Sequence, residues 1–108
     1  MKKITPKKIK LGYATFKIEK RTNSFCESQE MMGDCDTQKL RIRYDKSQAN
    51  NELANTILHE VLHALFHTQS INVSEKLEEK IVHSLANGLC AMIKDNPNFV
   101  DWLREKLK

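Results

Sequence analysis

Thr56-Ile-Leu-His59-Glu60-Val-Leu-His63-Ala-Leu65 sets two imidazoles and a carboxylate in an otherwise apolar stretch. His59 and His63 are four residues apart, so on a helix they share one face and can grip a single metal ion. Glu60 follows the first histidine and can reach a water at that metal, giving the H-E-x-x-H pattern, which pairs zinc ligands with a general base. The bland alternative is two ordinary helix histidines with Glu60 on a solvated side. Residues 53–66 argue against it, being almost wholly apolar apart from Asn55, Thr56 and the motif itself. A helix apolar nearly all round is a buried one, and buried polar groups without partners are costly. One Zn²⁺ ion satisfies all three groups.

Working outward, the 108 residues suit one domain with a modest core. A charged fraction of 30% and a hydrophobic fraction of 40% suit a globular chain. No apolar run approaches membrane-spanning length, and the start MKKITPKKIK lacks the apolar stretch of a signal peptide, so a cytoplasmic protein without membrane partners is expected. Residues 1–21 carry eight Lys or Arg against the single acid Glu19. That bias suits nucleic acid or an acidic partner, whereas the plainer reading is solvated lysines flanking an edge strand. Three irregularly spaced cysteines, Cys26, Cys35 and Cys90, form no C-x-x-C pair. Cys90 reads as core packing, and a reducing compartment would keep Cys26 and Cys35 as thiols.

The first half reads as strand and the second as helix, predicting an α+β fold with about two or three mostly antiparallel strands. The alternation in residues 13–18 predicts a half-buried strand. Residues 20–38 read as a loop. Residues 39–44 alternate strictly, with Leu40, Ile42 and Tyr44 inward. A motif helix is expected over about 48–68 and a second over about 74–94, capped by Ser74. Leu77, Ile81, Val82, Leu85, Leu89, Met92 and Ile93 give the second helix a broad apolar stripe. Pro97 can begin a short helix over about 98–107, docked on the core by Phe99, Trp102, Leu103 and Leu107.

Catalytic zinc usually has three protein ligands, so a third must be found. Gln69 stands six residues beyond His63, which excludes the H-E-x-x-H-x-x-G-x-x-H form. His67 continues the four-residue series, but the helix drifts about 40° over that interval and aims it poorly. Glu79 and His83, four apart on the second helix, can point back at the first. Glu78 competes as a ligand, because it lies near the centre of the apolar stripe, where a bare carboxylate is costly. An acidic first turn is also favourable near a helix N-terminus without any metal.

In this layout the chain resembles the zincin peptidases whose third ligand is a glutamate on a following helix. More narrowly it is similar to a minimal, phage- or prophage-type relative of the ImmA/IrrE metallopeptidases, which carry H-E-x-x-H and then E-x-x-A-[ND]-x-F-A. Here the second element reads Glu79-Lys-Ile-Val82-His83-Ser-Leu85-Ala86, departing at Val82, His83 and Leu85. The resemblance spans roughly residues 34–93 in layout and implies Glu79 as third ligand. It sets His83 where an Asn or Asp orients a ligand, and leaves His83 itself open as a ligand. It further implies a sheet beside the motif helix, with residues 39–44 as an edge strand able to pair with an extended peptide. A histidine third ligand, as in SprT-like proteins, lacks its H-G-x-x-F setting around His83.

The expected function is therefore a zinc metalloendopeptidase acting on a protein or peptide, with His59, His63 and Glu79 holding Zn²⁺ and Glu60 as general base. The alternative is a non-catalytic zinc-binding module acting in protein or nucleic-acid interaction, its metal holding a small core together. Neither the substrate nor the oligomeric state is written in the sequence.

Overall fold

A computed structural model describes residues 3–21 and 32–108. Among these residues, four strands come first: β1 (Lys8–Leu11), β2 (Ala14–Lys20), β3 (Gly33–Asp36) and β4 (Arg41–Tyr44). Three helices follow: α1 (Asn50–Thr68), α2 (Glu75–Asp95) and α3 (Pro97–Lys106). The α+β expectation holds, with a four-stranded mixed sheet in place of two or three mostly antiparallel strands.

The sheet order is β1-β2-β4-β3. β1 and β2 form an antiparallel hairpin through Gly12 and Tyr13, and Gly12 has φ +65°, as glycine readily adopts at the first position of such a turn. β2 and β4 run parallel, pairing Lys17 with Arg41 and Ile18 with Ile42. β3 is antiparallel to β4 on its far side. The expected strand over residues 39–44 is thus shorter, and Leu40 sits in the β3–β4 turn at φ 54° rather than in the strand. Asp36 shapes that turn by accepting from the amides of Gln38 and Lys39, both at 3.0 Å.

The expected loop over 20–38 also needs correction, because Lys20 ends β2 and Gly33–Asp36 is a strand. The sequence Gly-Asp-Cys-Asp has neither strand propensity nor alternation, and its state comes from pairing with β4. The rest of that loop expectation, including Cys26, lies outside the described residues.

The all-round apolar character of α1 has a simple origin: the helix is sandwiched. Val61 and Ala64 pack on the sheet with Leu11, Ala14, Phe16, Ile18, Ile42 and Tyr44. Leu62 and Phe66 pack on Val82 and Ala86 of α2. Asn55 Nδ2 donates to Asn87 Oδ1 at 2.7 Å and pins the α1–α2 crossing. Ser74 caps α2 as expected, accepting from the Leu77 amide at 3.2 Å.

The C-terminal half is less covered than its patterning predicts. On α2 only Val82 and Ala86 are buried, while Leu77, Leu85 and Ile93 are exposed. α3 does not dock on the core: Phe99 is 48%, Trp102 53% and Leu107 80% exposed, and Leu103 is exposed too. One residue, Asn96, separates α3 from α2, so α3 stays beside the far end of α2, beyond reach of the sheet. Phe99 and Trp102 stack on each other instead, with ring centroids 6.1 Å apart. No described helix is long and apolar enough to cross a membrane.

Candidate metal centre

One helical turn separates His59 from His63, and their ring centroids lie 4.9 Å apart on the face of α1 that meets the start of α2. Glu79 closes the group. Its two carboxylate oxygens reach Nε2 of His59 and Nε2 of His63, each at 2.9 Å. The three ligand atoms lie within 4.8 Å of one another. Two imidazole nitrogens and one carboxylate oxygen are the ligand set of many catalytic zinc sites. An ionised carboxylate only accepts, so each of these contacts requires a proton on Nε2 or a shared cation. A divalent ion can replace both protons, and on that chemistry the residues fit zinc.

Glu78 stands next to Glu79 in sequence but does a different job. Its Oε2 lies 2.6 Å from Nδ1 of His63, the ring nitrogen facing away from Glu79. A carboxylate there holds a proton on Nδ1 and turns the Nε2 lone pair toward the ligand position. This contact also resolves the cost of a carboxylate in the apolar stripe, since Glu78 is half-buried with a charged-capable partner. His83 lies outside the trio. It is exposed, its ring centroid is 6.4 Å from that of His59, and its Nε2 is 3.5 Å from Asn87 Nδ2.

Glu60 is buried on the sheet side of the motif. Burial pushes its carboxyl up to about 7, against the pull of His63, with Asp34 and Glu79 adding to the rise. Burial also lowers the pKa of His59, which favours the neutral imidazole that a metal needs, although Glu79 opposes the shift. Beside Glu60, the Cys35 thiol is pushed up to about 12, first by burial and then by the Glu60 charge.

β3 runs tightly over this part of α1. A Cβ on Gly33 would stand 2.7 Å from Thr56 Cγ2 and 3.4 Å from Glu60 Cγ, so the approach requires glycine. Thr56 donates to Gln48 Oε1 at 2.5 Å, and Gln48 Nε2 donates to the carbonyls of Asp45 and Met32 at 2.8 and 3.2 Å. This chain of bonds ties the start of α1 to the entry of β3. On the other side of β3, Arg43 grips Asp34 through two bonds of 3.0 Å, and buried Arg21 reaches the same carboxylate at 3.3 Å. Neither tether left a signal in the sequence, because their members are far apart and of common types.

Between β3 and the segment leading into α2 opens a cleft of about 1020 Å³, floored by His59, Glu60 and His63. Gly33, Cys35 and Thr37 line one wall, and Ile71, Val73 and Glu75 the other. His67, exposed at the end of α1, also faces this cleft. Tyr13 and Tyr44 do not: Tyr44 is core and Tyr13 sits exposed in the β1–β2 turn. The edge-strand expectation for residues 39–44 is corrected as well. β4 is flanked by β2 and β3, so among the described residues the edge strand beside the cleft is β3.

Comparison with protein-family models, curated proteins and solved structures gave no match.

Proposed function

We propose that this chain is a compact zincin-like peptidase, a minimal relative of the ImmA/IrrE metallopeptidases. The observation that carries the reading is the Glu79 carboxylate meeting both Nε2 atoms of an H-E-x-x-H pair whose glutamate is buried alongside. His59, His63 and Glu79 would hold Zn²⁺. When bound, that ion would acidify water to a pKa of about 7 and polarise a carbonyl oxygen.

The chain's own residues account for the remaining work. Glu60, poised near neutrality, takes the proton from the attacking water and passes it to the leaving amine as the amide C–N bond breaks. Glu78 keeps the His63 ring oriented. Among the described residues no strand pairs with the outer edge of β3, and there an extended peptide can add as a further strand, its scissile bond led over the motif face.

The test is Glu60→Gln in the zinc-loaded protein, assayed on an unstructured protein such as casein. Retained zinc with hydrolysis reduced at least a hundredfold supports the peptidase. Equal hydrolysis by both proteins, or none by the wild type over a broad peptide library, supports a non-catalytic zinc module instead.

A further inference from the structure

The face of the sheet turned away from α1 carries an arrangement that the metal centre does not use. Strand register places Lys8 directly opposite Lys17, and Lys17 directly opposite Arg41. All three side chains leave the same face, since their neighbours Ile9, Phe16, Ile18 and Ile42 point into the core. With strands about 4.8 Å apart, this is a row of three cations roughly 10 Å long. Like charges directly opposite one another on a sheet are destabilising.

The neighbouring row shows what compensation looks like here. There Glu19 stands opposite Arg43, and Arg43 opposite Asp34, which it grips through two bonds. The cationic row ends on Asp36, whose Oδ1 accepts from the amides of Gln38 and Lys39 and whose charge acts on Arg41 and Lys39, so Lys8 and Lys17 are the members left farthest from a counter-charge. Among the described residues, Lys8, Lys17 and Arg41 form no ion pair, and Arg41 Nε is buried without a hydrogen-bond partner. Lys10 and Lys39 are exposed close by. Edge protection explains lysines on β1, the outermost strand. It does not explain Lys17 or Arg41, which lie on the two inner strands.

We infer that this face of the sheet binds the phosphate backbone of double-stranded nucleic acid, with exposed Lys8 and Lys17 and half-exposed Arg41 each meeting one phosphate. The charge calls for a polyanion. The outward positions of the described strands carry no aromatic side chain, so the stacking platform that single strands use is missing. Contacts to phosphate alone carry no base readout, so binding is independent of sequence. Lys8, Lys17 and Arg41 do not line the cleft, and the two regions approach each other only at Asp34 on β3, so the metal centre stays accessible while this row is occupied.

The test is fluorescence anisotropy with a labelled 20-base-pair DNA duplex, titrated with protein at 50 mM salt and upward. The wild type should bind with a log–log salt slope of about −3, as three phosphate contacts require. Lys8→Gln/Lys17→Gln should lose about tenfold or more in affinity and bring the slope to about −1. Both lysines are exposed and their removal relieves repulsion, so a melting curve should show the fold kept. Lys94→Gln/Lys106→Gln, the same charge change on the helices, should bind as the wild type does. The proposal is overturned if the wild type does not bind at 50 mM salt, or if both double variants lose affinity equally. It is also overturned if an oligo-dT strand or polyglutamate binds more tightly than the duplex.

Discussion

Glu78 Oε2 lies 2.6 Å from Nδ1 of His63, on the edge of the ring opposite the nitrogen that meets Glu79. Two consecutive acids on one helix thus address two nitrogens of one imidazole. The first acts through the ring's orientation and the second at the ligand position itself, which makes the two separable by mutation.

Glu78→Ala should weaken zinc binding by about ten- to a hundredfold while leaving one ion per chain at saturation. Glu79→Ala should lower the stoichiometry itself. Chelator competition and metal analysis read both quantities. Full stoichiometry in Glu79→Ala with a loss in Glu78→Ala would exchange the two roles.

Metal-free stability should depend on pH through Glu60. Its carboxyl is raised to about 7 in the fold, so the folded protein keeps a proton that the unfolded chain releases. The contribution is fully present below the ordinary glutamate value of about 4.5 and is lost as pH rises through about 7, by up to about 3 kcal/mol. His59 acts in the opposite direction, since its lowered pKa makes its contribution grow as pH rises through its ordinary value of 6.5. The comparison is therefore with Glu60→Gln, which keeps His59. In urea melts with chelator present, the stability of this variant relative to wild type should increase from pH 5 to pH 8. A pH-independent difference would refute the assignment.

Gly33→Ala should destabilise the protein by about 1–3 kcal/mol, because the new methyl meets Thr56 Cγ2 at 2.7 Å and the backbone carbonyl of Arg43 at 3.1 Å. Combining it with Thr56→Ser removes the closer obstacle and keeps the hydroxyl that bonds Gln48. The double variant should recover part of the loss in a thermal or urea melt. Strict additivity would show that β3 does not approach α1 at this point.

Cys35 should resist alkylation in the native state, since its thiol is pushed up to about 12 and only the thiolate is nucleophilic. Iodoacetamide at pH 8 followed by peptide mass spectrometry should show labelling at least tenfold slower in native than in urea-unfolded protein. Equal rates would contradict the burial of this strand against α1.

Much of this fold follows from local patterning. Residues 13–18 alternate, and residues 14–18 form the first part of β2, with Ala14, Phe16 and Ile18 inward and Tyr13 in the turn before it. Ser74 caps α2, and Pro97 begins α3 after the break at Asn96. β3 was illegible because its four residues are held by pairing rather than propensity. The docking expected of α3 failed for a related reason: an apolar stripe shows that a helix has a face to cover, not that a core lies within reach.

The candidate centre divides along the same line. That His59 and His63 share a face with Glu60 beside them is a consequence of helical periodicity, which a continuous segment carries in itself. Glu78 and Glu79 are a different matter. Adjacent helix residues point about 100° apart, and the chain alone cannot tell which of them faces a histidine on another helix. The crossing of α2 over α1, set by Leu62 and Phe66 packing on Val82 and Ala86, decides that Glu79 meets both Nε2 atoms and Glu78 meets Nδ1. Strand order is equally nonlocal: residues 41–44 and 33–36 are both short strands, and only the parallel pairing of β2 with β4 leaves the edge beside the cleft to β3. Spacing along one element is determined by the sequence, whereas relations between elements depend on packing free energy that no single segment contains.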